Sequence, residues 1–159
     1  MAGSVEPFAI GAGDGRVHVS PTGSQVRMLA RTPDTGGALT VMEIVSPAKD
    51  GPAVHVHSRE DEVWYVLQGE YRFQAGDEKF RVSAGGMAFG PRGVPHGFQN
   101  LGDEPARLLI ITTPAGLERF FEDFAALPPG PLDPEALATV GRASGIDFVG
   151  PPLAVSDPL

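Results

Sequence analysis

Three histidines and one glutamate form the group of residues best suited to carry chemistry. His55 and His57 are one residue apart, Glu62 follows five positions later, and His96 lies on a later segment rich in glycine and proline. Imidazole nitrogens combined with a carboxylate oxygen are a ligand set that divalent transition metals accept. The sequence therefore predicts a metal site with four ligands, which are His55, His57, Glu62 and His96.

Strand geometry would bring these side chains together. Residues i and i+2 of a strand point to the same side, so His55 and His57 would project together. A polar turn over residues 58–61 would reverse the chain and return Glu62 beside the two imidazoles. Pro95 holds the backbone ahead of His96 extended and stiff, which suits a ligand.

A plainer interpretation is that a His-x-His pair on a strand is two ordinary polar surface residues. Two observations favour the metal site. The acid and the third histidine fall in separate predicted strands, each next to residues that form tight turns. His18, the fourth histidine, has no such neighbours.

The chain resembles a cupin at these residues. The second signature motif of that family is matched as Gly85, five residues, Pro91-x-Gly93, two residues, His96, three residues, Asn100. The first is matched as His55-x-His57, four residues, Glu62, six residues, Gly69. One position departs from the family: its opening glycine, six residues before the first histidine, is Lys49 here, and the nearest glycine is Gly51. The departure concerns a turn and leaves the ligands alone.

The resemblance implies an all-β fold, a single small cupin β-barrel of the double-stranded β-helix or jelly-roll type, over residues 25–113. It also implies Fe, Mn, Ni, Cu or Zn as the cofactor, without a choice among them. Four protein ligands around an octahedral ion leave about two positions open. By the same resemblance we expect a homodimer, with residues 1–24 as an N-terminal arm that could cross to the partner.

Hydrophobic periodicity agrees with that organisation. Short β-type runs separated by glycine and proline predict strands at 16–19, 25–30, 38–45, 53–57, 62–67, 70–74, 79–82, 87–89, 96–100 and 106–112. Helical spacing then predicts one or two short C-terminal helices within residues 114–145. The last segment, 146–159, is rich in proline and glycine and is expected to be irregular.

Composition limits the possible functions. A length of 159 residues is that of one domain. Cysteine is absent, which excludes disulfides and thiolate chemistry, and a formal charge of -8 argues against nucleic acid as a partner. No segment approaches the ~20 apolar residues of a membrane span. The start of the chain lacks the features of a secretory signal, so no membrane association and a cytoplasmic location are expected.

Aromatic residues near the ligands suggest a place for a small-molecule substrate. Alternation puts Trp64 beside Glu62 and Phe98 beside His96, and helical spacing places Phe120 and Phe124 on one helix face. These four are candidate pocket residues. The alternative is that they are ordinary core, because a small barrel must fill its interior.

Three functions stay open. The first is an oxygenase, resembling small quercetinase-like cupins, that acts on an enolic or phenolic compound such as a flavonol or a diketone, with Glu62 as the catalytic proton acceptor. The second is a Lewis-acid isomerase, cyclase or decarboxylase that needs no O2. The third is a non-catalytic module that binds a small molecule.

Overall fold

Two antiparallel sheets make up most of the molecule. The computed structural model describes residues 5–159, so the first four residues of the predicted N-terminal arm lie outside the described residues. The described part contains these strands: β1 Val17–Val19, β2 Gln25–Ala30, β3 Thr40–Ser46, β4 Ala53–His57, β5 Asp61–Gln68, β6 Glu70–Ala75, β7 Glu78–Ser83, β8 Met87–Gly90, β9 His96–Asn100, β10 Ala106–Thr113 and β11 Ile146–Pro152.

Each sheet combines strands from distant parts of the chain. One has the order β1-β2-β3-β10-β5-β8 and the other has the order β11-β4-β9-β6-β7. From β3 to β6 and again from β7 to β11, successive strands alternate between the two sheets, so the sheets close around a common interior. The predicted all-β cupin barrel is confirmed, and each of the ten predicted strands is present with ends that differ by at most two residues.

The interior is filled by every second residue of the strands. In β3 the buried positions alternate with half-buried ones along the whole strand. The six-stranded sheet contributes Met42, Trp64 and Leu108 to this core, and the five-stranded sheet contributes Tyr71 and Phe73. Period-two burial of this kind is what a closed sheet requires.

Short helices lie outside the barrel strands: α1 Thr32–Thr35, α2 Glu118–Ala125, α3 Pro134–Ala143 and α4 Leu153–Ser156. The two predicted C-terminal helices are α2 and α3. Helix α3 begins where the sequence predicts, because Asp133 accepts a hydrogen bond from the backbone N–H of Glu135 at 3.0 Å. Within residues 5–159, no helix has the length and apolar character needed to cross a membrane.

The C-terminal segment is more ordered than the sequence suggests. The expectation of an irregular segment over 146–159 is wrong, because Ile146–Pro152 form β11 and Leu153–Ser156 form α4. Strand β11 is an edge strand that pairs only with β4, and its register is irregular between Phe148 and Pro152. An edge strand tolerates proline because one side of its backbone needs no partner.

Part of the predicted N-terminal arm packs on its own chain. Strand β1 forms an antiparallel hairpin with β2, in which Val17 pairs with Arg27 and Val19 with Gln25. The ring of His18 is buried beneath this hairpin, away from the other three histidines. Exchange of the arm with a partner stays a prediction.

Candidate metal centre

The four predicted ligands converge inside the barrel. One ligand atom from each of His55, His57, Glu62 and His96 can be chosen so that all four lie within 4.8 Å of one another. Glu62 Oε2 lies 3.1 Å from His57 Nε2 and 3.1 Å from His96 Nε2. All four residues are buried, so the plainer interpretation of His55 and His57 as surface residues is wrong.

Three neighbouring pieces of sheet position the ligands. His55 and His57 alternate with outward-facing residues along β4, and His55 is paired with His96 of β9. Glu62 lies near the start of β5, opposite Gly90 of β8. A Cβ atom at Gly90 would come within 3.2 Å of His96 Nδ1 and would overlap the Trp64 ring. Glycine is required there because two site residues approach the backbone closely.

The second nitrogens of two histidines are held by backbone carbonyl groups. His55 Nδ1 lies 2.7 Å from the carbonyl oxygen of Ala53, and His96 Nδ1 lies 3.1 Å from that of Val94. A carbonyl only accepts, so Nδ1 carries the hydrogen in both contacts and Nε2 is directed at the centre. Metal-binding histidines are commonly oriented in this way by a partner on the other nitrogen.

A second buried carboxylate lies behind the cluster. Glu60 Oε2 is 3.4 Å from His57 Nδ1, and the Glu60 side chain is almost fully buried. The sequence analysis missed this residue, because it placed Glu60 in a polar turn. The spacing of three residues from His57 was the available signal, since the turn folds the carboxylate back onto the ring.

The contacts within the cluster require more ring hydrogens than neutral histidines carry. A neutral imidazole has one N–H. His96, however, faces the Val94 carbonyl oxygen with Nδ1 and Glu62 Oε2 with Nε2, and both contacts call for a hydrogen on the ring. A cation between the Nε2 atoms and Glu62 would remove the conflict, since Nε2 would then act as an electron-pair donor.

The electrostatics agree with a cation site. Burial alone would lower the pKa of His57, but its contacts with Glu60 and Glu62 raise that pKa to about 9. Burial would raise the pKa of Glu62, yet His57 and His96 hold it well below its usual range. Burial, reinforced by the other two rings, lowers the pKa of His55 to about 3. The buried Glu62 carboxylate carries a negative charge that a divalent ion would compensate. The residues present therefore fit a divalent transition metal.

Trp64 fixes the other oxygen of the carboxylate. Its Nε1–H donates to Glu62 Oε1 at 2.8 Å, in a buried contact. Its ring also lies edge-on to the His96 ring, with centroids 5.1 Å apart. Trp64 therefore orients Glu62 so that Oε2 faces the centre.

A cavity of about 210 Å³ opens from one side of the cluster. Three of the four ligand residues, His55, His57 and Glu62, form its polar end. Most of the other wall residues are apolar: Pro21, Met42, Ile44, Pro52, Ala53, Phe98, Ile110, Leu117, Phe120, Phe121, Leu132, Leu137, Ile146 and Phe148. Ser20, Thr22 and Ser24 also line it, and the hydroxyls of the latter two donate to Asp50.

Two of the four predicted pocket residues line this cavity. Phe98 and Phe120 do so, whereas Trp64 and Phe124 do not. Trp64 is packed between Glu62, His96 and the core, and Phe124 stacks on the outer side of Phe120 with ring centroids 6.2 Å apart. Phe121 and Phe148 are further aromatic wall residues, and Phe148 could not be anticipated because its segment was expected to be irregular.

Comparison with known proteins finds a family match over most of the barrel. Residues 41–112 match the family model described as Cupin domain. MJ1618, an uncharacterized protein of Methanocaldococcus jannaschii, is 28% identical over 75 residues. That match covers 47% of this chain and 60% of MJ1618, so the chain spans less than two thirds of this curated relative.

Solved structures share the fold. KdgF from Halomonas sp. superposes with a TM-score of 0.61 at 21% identity, over 69% of this chain and 94% of KdgF. The polyketide cyclase RemF from Streptomyces resistomycificus gives 0.58 at 24% identity, over 68% of this chain and 80% of RemF. At these identities the likeness concerns the fold alone.

Proposed function

Because residues 41–112 match the cupin domain model and the fold is that of cupin structures, we propose that the protein is a metal-dependent enzyme, an oxygenase that acts on a small enolic or phenolic compound. One observation carries the proposal: four ligand atoms lie within 4.8 Å of one another, and three of the four ligand residues line a mostly apolar cavity. An enol or phenol matches this arrangement, since it joins one acidic oxygen to an apolar body.

His55, His57, Glu62 and His96 would hold the ion. An ion bound by these four supplies Lewis acidity and about two open coordination positions. Structural metal sites are usually closed by protein ligands, so open positions favour a reactive site over a structural one. Fe, Mn, Ni, Cu and Zn all accept imidazole and carboxylate ligands, so the donor set favours none of them.

Glu62 is the candidate proton acceptor for the hydroxyl group of the substrate. Trp64 orients the carboxylate by holding Oε1, so that Oε2 is directed at the centre. A hydroxyl group bound at the polar end of the cavity would therefore meet a negatively charged oxygen directed at the centre. Transfer of the hydroxyl proton to that oxygen leaves the substrate as its anion.

The apolar wall has a separate role. Phe98, Phe120 and Ile110 line the cavity and offer no hydrogen bond to water. Exclusion of water strengthens electrostatic interactions inside the site and protects reactive species from hydrolysis. The same wall would bind the body of the substrate through buried apolar area.

Oxygen uptake tests the proposal. Protein reconstituted separately with each of the five metals would be supplied with flavonols and 1,3-diketones in an oxygen-electrode cell. We expect substrate-dependent O2 consumption with at least one metal, and loss of that activity in His96→Ala. Equal turnover under argon would replace the oxygenase with a Lewis-acid isomerase, cyclase or decarboxylase. Binding without conversion across the screen would make the protein a small-molecule binder.

Two further expectations from the sequence belong to this proposal. A homodimer is expected, with the N-terminal arm of residues 1–24 as the segment that could cross between chains. Gel filtration of the full chain at micromolar concentration would give the mass of a monomer if this expectation is wrong. A cytoplasmic location is also proposed, and fractionation of cells that express the protein would test it.

A further inference from the structure

We infer that Phe148 of β11 sets the length of the compound that the cavity accepts, and that this compound is uncharged. The inference rests on the proposed function only in taking the cavity as the substrate site. It adds a residue that determines specificity and lies outside the part of the chain, 41–112, that matches the family model.

Phe148 lies beside the ligands and is partly exposed to solvent. It is the strand partner of His55, and the centroids of the two rings are 6.2 Å apart. It also contacts Phe120, with centroids 6.0 Å apart. The other phenylalanines of the wall are buried, with Phe98 and Phe120 both 5% exposed, whereas Phe148 is half-buried. Phe148 is therefore the aromatic wall residue that a longer ligand would meet on its way outward.

The ring is held from behind by helix α3. A Cβ atom at Gly141 would lie 2.9 Å from Cε2 of Phe148 and 2.9 Å from the carbonyl oxygen of Ile146. Only glycine allows the helix and β11 to approach so closely. The absence of a side chain at Gly141 thus determines how far Phe148 can withdraw from the cavity.

The charge of the wall restricts the ligand as well. Among residues 5–159, no arginine or lysine lines the cavity, and the one carboxylate that lines it is Glu62. A carboxylate or phosphate on the body of a ligand would lose its hydration without gaining a cationic partner, which is strongly unfavourable. An uncharged body with one acidic oxygen at the metal end avoids this cost.

A series of ligands of increasing length tests the inference. Zinc-loaded protein would be titrated with para-alkylphenols, from para-cresol to para-hexylphenol, by isothermal titration calorimetry. Fluorescence of Trp64, the one tryptophan of the chain, gives a second readout because its ring lies beside His96. Each added methylene that is buried should tighten binding about fourfold. In the wild type this gain should stop at the chain length that fills the cavity.

Two substitutions should move that limit in opposite directions. Phe148→Ala should extend the fourfold gain to longer alkyl chains, and Gly141→Ala should shorten the accepted chain by pressing on the ring. Phe80→Ala is the matched control, because Phe80 is 42% exposed on β7 and does not line the cavity. It should leave the limit unchanged. If Gly141→Ala does not fold, Phe148→Ala alone decides.

The outcomes separate this inference from the proposed function. An identical length limit in the wild type and Phe148→Ala would overturn the role of Phe148. Binding of para-hydroxybenzoate as tight as that of para-cresol would overturn the requirement for an uncharged ligand. These are binding measurements, so a shifted limit supports the inference even if no metal form consumes O2.

Discussion

The barrel and the segment that follows it build different parts of one cavity. The barrel supplies His55, His57 and Glu62 at the polar end, with His96 beside them. Residues 114–159 supply seven apolar wall residues, which are Leu117, Phe120, Phe121, Leu132, Leu137, Ile146 and Phe148. The family model covers the ligands and none of these seven. All four ligands therefore lie in the barrel, whereas the apolar wall is shared between the barrel and residues 114–159.

Removal of a metal ligand should have the largest effect on the polar end of the cavity. His57→Ala or His96→Ala should abolish tight metal binding, because only three of the four ligands would remain. Elemental analysis of purified, reconstituted protein would measure the loss. Phe148→Ala is the matched control from the other part of the cavity and should keep its metal. Unchanged metal content in the histidine variants would show that the ion lies elsewhere.

A smaller effect is expected from the carboxylate behind His57. Glu60→Gln should weaken metal binding by about 10–100-fold, the usual cost of losing a group that orients a ligand. The reason is that Glu60 Oε2 lies 3.4 Å from His57 Nδ1 and favours the ring orientation in which Nε2 faces the centre. Competition against a chelator of known affinity gives the dissociation constant.

Glu78→Gln serves as the control for Glu60→Gln. Glu78 is exposed on β7 and does not contribute to the ligand cluster. Both changes remove one negative charge, so a general effect of net charge would weaken metal binding equally in the two variants. Equal affinities of this kind would contradict a specific role for Glu60.

Attachment of the C-terminal segment to the barrel should depend on pH. Buried Glu118 of α2 accepts hydrogen bonds from the backbone N–H of Thr32 at 2.7 Å and from Thr40 Oγ1 at 2.6 Å. Burial would raise the pKa of Glu118, but these hydrogen bonds lower it below the ordinary 4.5. The ionised carboxylate therefore stabilises the fold above that value, and the contribution is lost as the pH falls through the lowered pKa.

Glu118→Gln should accordingly reduce the free energy of unfolding by about 1–3 kcal/mol at neutral pH, the usual cost of a lost hydrogen bond to a buried charge. The difference from the wild type should shrink in acid, where the wild-type residue is also neutral. Urea unfolding at neutral and at acidic pH measures both values. A difference that grows in acid would contradict the assigned direction of the pKa shift.

The smallest effect concerns Lys49, at the position of the family glycine. Lys49 has φ 61°, and among the described residues it is the only non-glycine with positive φ. Its Nζ donates to the carbonyl oxygen of Leu101 at 2.7 Å. Lys49→Ala and Lys49→Gly both lose this bond. A comparison of their stabilities therefore isolates the cost of holding a residue with a side chain at positive φ. The glycine variant should be more stable by about 1 kcal/mol in chemical unfolding. Equal stability would mean that the turn has relaxed out of the left-handed region.

The barrel was predictable because its signals are local. Alternation of apolar and polar residues located each barrel strand, and motif spacing with the period of two placed His55, His57 and Glu62 on one side. The departure at Lys49 also agrees with the structure, since the conformation that favours glycine persists there. Each of these inferences needed only neighbouring residues along the chain.

The predictions that differ from the structure concern contacts between residues that are distant in the sequence. Phe148 reaches the cavity because β11 pairs with β4, which lies about ninety positions earlier, and proline-rich composition hid that strand. Trp64 was assigned to the cavity from its side of the strand alone, but its hydrogen bond to Glu62 turns it toward the core. Phe124 follows helical spacing yet lies outside Phe120. Periodicity predicts which face of a strand or helix a residue lies on, but it does not predict which distant residues that face contacts.

Anomalous diffraction from crystals of the reconstituted protein, collected at the absorption edge of the added metal, tests the central claim most directly. The account predicts one strong peak per chain, at about 2.0–2.3 Å from an imidazole nitrogen of each of the three histidines and from a carboxylate oxygen of Glu62. In protein that is fully loaded with metal, a peak at any other place would contradict the account. The absence of a peak between these four side chains would contradict it as well.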